Sequence, residues 1–286
     1  VTAALDPATG PVLLVGCGKL GTALAPRLRD RGLDVLALRR DVGGLPPDLP
    51  ALAIDLAEPL PATLPRAAGM VITLPPTDAP DGYRERLQHL AGALPAVPAR
   101  TVFVSSTRVF DGLGGPDAEA RPLDEDEPPT PATERARSLV AGEEQARELF
   151  DAIVLRPAGI YGPGRDRLLR TVREGRPVEH RRRSNRIHQD DLVRTLELLL
   201  THPAPPSLLH AVDDHPATLG EVVTHLARRM DLPVPPAAEP DPGGGTVLAG
   251  ARLAALFGDL DHPDFRSGYD AMLAGDTPGE VPGTRT

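Results

Sequence analysis

An α/β fold built on a doubly wound parallel sheet is what this sequence predicts, and three observations carry that expectation. Short apolar runs alternate with longer amphipathic stretches between residues 11 and 156, as strands do when crossover helices bury both of their faces. The first run, Pro11-Val12-Leu13-Leu14-Val15, feeds directly into Gly16-Cys17-Gly18-Lys19-Leu20-Gly21. An Ala- and Leu-rich helical stretch follows that turn without a break.

Taken in order, residues 11–15 read as a strand and about 19–31 as a helix. Leu33–Leu38, Ala51–Ile54 and Gly69–Leu74 give three further short strands, each an apolar run of strand length. A polar helix around 81–94 leads to the strand Thr101–Ser106, and a helix over roughly 132–149 precedes the strand Ala152–Arg156. Beyond Tyr161 the alternation loosens. A helix near 165–174, a helix over Asp190–Leu200, a strand at Leu208–Val212 and a helix at Leu219–Met230 remain readable. The Pro/Gly-rich stretch 232–245 is expected to be irregular, Ala251–Phe257 and Phe265–Leu273 to be short helices, and 275–286 to be frayed. The segment 111–131, crowded with Pro, Gly and acids, is expected to form a mobile rim to the site. Residues 1–160 therefore read as a mainly nucleotide-binding core and 161–286 as a small mixed substrate-binding subdomain, with 187–212 returning to the core.

The spacing Gly16-x-Gly18-x-x-Gly21 between a strand and a helix suits a dinucleotide diphosphate, which makes the predicted core Rossmann-type. The first glycine permits the sharp turn and the second admits the diphosphate to the backbone. The third lets helix and strand approach, and the helix N-terminus offers unpaired N–H groups. Cys17, Lys19 and Leu20 lie within the same turn and count with the glycines as cofactor-binding candidates. The end of the second strand decides between cofactors. A carboxylate there would bind ribose hydroxyls, whereas Arg39-Arg40 supplies two guanidiniums matched to a 2′-phosphate. NADP is thus expected, and Asp41 keeps NAD as the alternative. Asp55 is placed to approach adenine or to cap a turn, and Leu74-Pro75 ends the fourth strand where backbone meets cofactor.

Composition excludes several classes. A net charge of -9 on 286 residues opposes non-specific binding to nucleic acid. A single cysteine leaves no internal disulfide and no thiolate-rich metal site, and no His/Asp/Glu spacing argues for a metal. Apolar runs stay well short of the roughly 18 residues that a membrane span needs. No basic-then-apolar leader is visible, so the cytoplasm is the expected compartment.

Three further segments give the chain a resemblance to a known family. They are Val104-Ser105-Ser106-Thr107-Arg108-Val109-Phe110, Leu155-Arg156-Pro157-Ala158-Gly159-Ile160-Tyr161-Gly162-Pro163-Gly164-Arg165, and Asn185-Arg186-Ile187-His188-Gln189-Asp190-Asp191-Leu192. With the glycine motif they are similar to the extended or atypical short-chain dehydrogenase/reductases, particularly the NAD(P)-dependent epimerase/dehydratase-like members, over nearly the whole chain. The resemblance implies a catalytic Ser/Thr at Ser106 and, a helix downstream, a Tyr-x-x-x-Lys pair for proton exchange. The pair is missing. Aligned at Thr133-Glu134-Arg135-Ala136-Arg137, the tyrosine position carries Thr133 and the lysine position Arg137.

An aliphatic hydroxyl is a poor proton donor beside a phenol. Thr133 is therefore a catalytic candidate that equally reads as a helix cap, while Arg137 keeps the ability to hold ribose hydroxyls. The resemblance puts Tyr161 and His188 near the pocket as substitute acids, and His188 has a suitable pKa range. Asp190 and Asp191 read as helix-start residues. Ser106, Thr107, Arg165, Arg186 and His188 are candidates for substrate contact, because the loop His180–Arg186 packs arginines beside the pocket segment. The expected function is NADP-dependent reduction of a carbonyl or imine on a small anionic or nucleotide-linked substrate. The alternatives are a sugar-type epimerase and a non-catalytic NADP-binding sensor or partner protein. The resemblance also suggests a homodimer through the helices near 81–94 and 132–149.

Overall fold

The computed structural model describes residues 5–76, 82–113, 121–239 and 245–275. Seven parallel strands form the central sheet: β1 (Val12–Val15), β2 (Val35–Arg39), β3 (Ala51–Ala53), β4 (Gly69–Ile72), β5 (Arg100–Val104), β6 (Ile153–Pro157) and β7 (Leu208–Ala211). Their order across the sheet is β7-β6-β5-β4-β1-β2-β3, so the doubly wound expectation holds. β2 starts later than the apolar run suggested, because the Leu33 N–H turns back to the Leu28 carbonyl at 3.0 Å to close the preceding helix.

The helices are α1 (Lys19–Asp30), α2 (Gly82–Ala93), α3 (Glu134–Phe150), α4 (Arg167–Arg173), α5 (Gln189–Thr201), α6 (Leu219–Arg229), α7 (Ala251–Phe257) and α8 (Phe265–Gly275). Alternation along the strands sends side chains to two separate layers. Leu14, Val71, Val102 and Leu155 pack with Leu24 and Leu28 of α1 and Leu196 and Leu199 of α5. Leu13, Val15, Met70 and Phe103 pack with Leu87 and Leu90 of α2 and Leu139 and Phe150 of α3. At roughly 1.5–3 kcal/mol for each fully buried large aliphatic side chain, these two layers dominate the stability.

β7 pairs with β6, in register Leu209↔Leu155. α5 is tied to α1 by Glu197, which is almost fully buried and receives Arg27 Nε at 2.5 Å together with Arg31. A third apolar cluster joins α4, α6 and α8 through Leu169, Val172, Val222, Leu226, Phe265 and Tyr269. Short paired strands attach this lobe. Gly159–Tyr161 runs parallel to Arg186–His188, and Arg183–Ser184 antiparallel to Ala217–Thr218. The lobe mixes helices with short paired strands.

Part of the expected rim is well anchored. Pro122–Leu123 pairs with Val247–Leu248, and the Gly112 N–H bonds the Thr130 carbonyl at 2.8 Å. Residues 114–120, most of the expected frayed end, part of the 232–245 stretch and the start of the helix near 81–94 lie outside the described residues. Among the described residues no helix is long and apolar enough to cross a membrane.

Candidate functional site

The strand order reverses between β1 and β4, and ligands of open α/β sheets bind at such a reversal, beyond the strand C-termini. Here the Gly16 turn leaves β1 and Thr73-Leu74-Pro75 leaves β4. Thr73 fastens the two ends together, with its hydroxyl donating to the Gly16 carbonyl at 3.0 Å and its N–H to the Val15 carbonyl at 2.9 Å. Gly16 sits at φ +74, and a Cβ there would press on Leu74 and the Thr73 carbonyl carbon at 3.1–3.2 Å. A Cβ on Gly21 would meet the Cys17 sulfur at 2.7 Å, so this glycine sets the distance between α1 and the turn. Cys17 is buried against it, and burial raises its thiol pKa, which makes it a packing residue. α1 begins at Gly18 with no side-chain cap, leaving its first N–H groups for a ligand.

A cleft of about 250 Å³ opens over this turn, lined by Gly16, Cys17, Gly18, Arg39, Arg40, Asp41, Asp55, Leu74, Pro75 and Arg86, among others. Most of the cofactor residues expected from sequence thus converge. Arg39 reaches back to the Cys17 carbonyl at 3.3 Å, which brings its guanidinium against the turn. Asp55 lines the cleft, and its Oδ1 accepts the Ala57 N–H at 3.0 Å. Arg86 was not anticipated. It comes from α2, and nothing in a polar helix marks which of its charges will face a cleft. Lys19 is exposed, and its Nζ donates to the Gly164 carbonyl, which joins the start of α1 to the turn after Tyr161.

A second cleft, about 220 Å³, shares Leu74 with the first in its wall. Its lining includes Leu20, Tyr83, Ser105, Ser106, Arg108, Arg135, Leu139 and Pro157. Ser106 caps the short helical turn Thr107–Phe110, its Oγ accepting the Arg108 N–H at 3.2 Å. Thr107 Oγ1 donates to the Pro157 carbonyl at 3.4 Å. Beneath them Ser105 donates to Glu143 Oε1 at 2.6 Å, and Arg156 grips both Glu143 oxygens at 2.9 and 2.7 Å. The Tyr83 phenol donates to the Leu74 carbonyl at 2.8 Å. Burial raises its pKa far above the usual value, with the Arg135 charge acting in the opposite direction. That phenol is therefore a fixed donor rather than an acid.

Thr133 and Arg137 lie elsewhere. Thr133 is the N-cap of α3, its Oγ1 accepting the Ala136 N–H at 3.2 Å and donating to Asp111. Arg137 folds back onto the Ala132 carbonyl at 3.0 Å and Glu134 Oε1 at 2.6 Å. Neither lines the cleft that holds Ser106, whereas Arg135 and Leu139, with the same four-residue spacing, both do. Two residues along an α-helix are about 200° of rotation, so the two pairs occupy nearly opposite faces. As a test of the capping role, Thr133→Ala should lower stability by about 1 kcal/mol in urea unfolding. A loss within error would show the cap to be idle.

The remaining candidates sit in the smaller lobe. Tyr161 is buried, stacks on Tyr269 at 4.6 Å and donates to the Asp264 carbonyl at 3.2 Å. Arg186 is buried beside Tyr269 and Asp213, and the Asp213 carboxyl is pushed up to about 8, chiefly by its own burial. Arg165 Nε donates to Gln189 Oε1 at 3.0 Å. His188 caps α5, its Nδ1 accepting the Asp190 N–H at 3.3 Å. Burial first, and His262 next, lower its pKa to about 4, so the ring is neutral near pH 7. His188, Asp190 and His262 line a separate cavity of about 340 Å³ and form the one metal-type grouping among the described residues, with ligand atoms within 4.8 Å of one another. His262 arrives from a distant segment, so no spacing announces the group. Asp191 does more than start a helix: fully buried, it accepts the Asp261 and His262 N–H groups at 2.8 and 3.0 Å.

Comparison with known proteins bears on the whole chain and on a part of it. Residues 84–192 match the RmlD substrate binding domain family. A dTDP-4-dehydrorhamnose reductase of Mycobacterium tuberculosis (strain CDC 1551 / Oshkosh) is 43% identical over 83 residues, which is 28% of this chain. The match spans only 27% of the length of that relative. A protein of Methylobacillus flagellatus assigned to the NAD-dependent epimerase/dehydratases is 31% identical, with TM-score 0.76, covering 93% of this chain and 98% of its own. The Bordetella bronchiseptica enzyme WbmG, solved in complex with NAD, shares the fold at 18% identity and TM-score 0.72, covering 93% of this chain and 94% of its own. MoeE5, solved with UDP-glucuronic acid and NAD, shares it at 23% identity and TM-score 0.71, covering 91% of this chain and 97% of its own.

Proposed function

This chain belongs to the extended short-chain dehydrogenase/reductase family, among its NAD-dependent epimerase/dehydratase-like members, and from that premise we propose an NADP-dependent oxidoreductase. Its substrate is a small anionic or nucleotide-linked molecule with a carbonyl or imine to be reduced. The observation that carries the cofactor choice is that Arg39, Arg40 and Arg86 all line the first cleft. Guanidiniums match a 2′-phosphate by charge and by paired hydrogen bonds. The Gly16–Gly21 turn and the uncapped start of α1 would hold the diphosphate, and the shared wall at Leu74 leads to the second cleft. Nucleotide-linked substrates are supported by the dTDP-4-dehydrorhamnose reductase match and by the UDP-glucuronic acid held by MoeE5.

When bound, the cofactor supplies hydride chemistry. The protein's part is to orient the acceptor with the Ser106 hydroxyl and to hold it under α3. No phenol or lysine stands on the cleft face of α3, where Leu139 occupies the second of the two positions. Reduction tolerates this better than epimerisation, since an epimerase needs a base to reoxidise an alcohol. The same absence favours one second reading, an NADP-binding protein without turnover. The smaller lobe is assigned to the substrate on this view, and the cytoplasm and a homodimer remain part of the proposal.

Titration of the purified chain with NADPH and NADH, followed by nicotinamide fluorescence, tests the reading. Binding of NADPH at least tenfold tighter than NADH is expected. Equal affinities would overturn the NADP assignment, and binding of neither would overturn the dinucleotide site itself. Consumption of bound NADPH in a panel of carbonyl and imine substrates separates the enzyme from the sensor.

A further inference from the structure

Two arginines in the second cleft have no task in the reading above. Arg108 belongs to the short turn capped by Ser106, and Arg135 to the first turn of α3; both line the cleft. Neither guanidinium makes an ion pair among the described residues, although acidic side chains outnumber basic ones by 40 to 31. The nearby acids are already engaged. Glu134 is taken by Arg137, and Glu143 by Arg156 and Ser105. Ser106 Oγ uses a lone pair on the Arg108 N–H, which leaves its own hydrogen for an acceptor in the cleft. The positive end of the α3 dipole adds to the field on this side. All these groups donate, and two carry full charge.

We propose that Arg108 and Arg135, beside the Ser106 hydroxyl, form an oxyanion subsite that takes a carboxylate or phosphate carried by the substrate. This rests on the second cleft being the substrate end of a dinucleotide site. A cleft of about 220 Å³ suits a compact oxyanion, and paired guanidinium N–H groups match its geometry. Arg135 presents a planar fork of N–H donors, a geometry that orients a substrate oxyanion.

Calorimetric titration of the full chain with sodium phosphate and with malonate, alone and with saturating NADP+, tests the subsite. Wild type should bind one of the two oxyanions in the millimolar range or tighter, and the preferred probe assigns phosphate or carboxylate. R108Q and R135Q should each weaken that binding at least tenfold. R135K, which keeps the charge without the fork, should lose less, and R229Q, on the far lobe beside Asp270, should match wild type. Unchanged affinity in R108Q and R135Q, or no binding of either probe by wild type, overturns the proposal. The NADPH titration of the same variants judges the cofactor reading separately. Loss of phosphate binding in R135Q without any NADPH binding would leave the subsite standing and remove the dinucleotide site. NADPH binding with unchanged oxyanion affinities would do the reverse.

Discussion

Glu143→Gln should lower the folding free energy by about 3–5 kcal/mol, the largest loss expected from a single charge removal in this chain. Glu143 and Arg156 are 1% and 2% exposed, and the guanidinium bonds both carboxylate oxygens. Removing one charge strands the other in the interior beside Phe110, over whose ring the Arg156 guanidinium lies at 5.3 Å. Pairing recovers the cost of burying two ions only when both are present. The double change Glu143→Leu with Arg156→Met, which removes both ions at similar bulk, should therefore be much milder than either single change. Urea unfolding reads both variants. A Glu143→Gln loss below about 1 kcal/mol would show that water reaches this pair and screens it.

Removing the phosphate-matched pair at the end of β2 gives the largest expected effect on binding. Arg39→Ala with Arg40→Ala should weaken NADPH about a hundredfold, equivalent to ~2.7 kcal/mol, and leave NADH within threefold. Two charge-assisted hydrogen-bonding groups, each worth roughly 1.5–3 kcal/mol, are lost together, and Arg86 remains to hold part of the affinity. Only a 2′-phosphate distinguishes the two cofactors, so the NADH titration controls for damage to the turn that Arg39 touches through the Cys17 carbonyl. A parallel fall in both affinities would place the pair's role in the turn and remove the argument for NADP.

The parts of this protein that could be read from sequence are those set by neighbours in the chain. β1 and β4 are buried on both faces, so they appear as unbroken apolar runs. The glycine turn is local where Gly16 takes a positive φ and Gly21 meets Cys17 four residues earlier. The second cleft was less legible for a rotational reason. Thr133 caps α3, and that phase puts Arg135 and Leu139 toward Ser106 while Arg137 turns to Glu134. No periodicity in the helix alone fixes which face docks. Contacts made across long separations were invisible altogether. Asp191 reads as a helix-start acid until it is seen holding the Asp261 and His262 amides, and Arg86 reads as surface charge until α2 is set beside β2 and β4.

The bond between Lys19 and Gly164 has a practical side. Lys19 is the only lysine in the 286 residues, so the chain carries one ε-amine, at the start of α1. An acylating reagent or an amine-directed fluorophore thus has a single side-chain target, located where the two lobes touch. The molecule thus has a built-in labelling position that reports on the start of α1 and its contact with Gly164 without introducing any foreign residue.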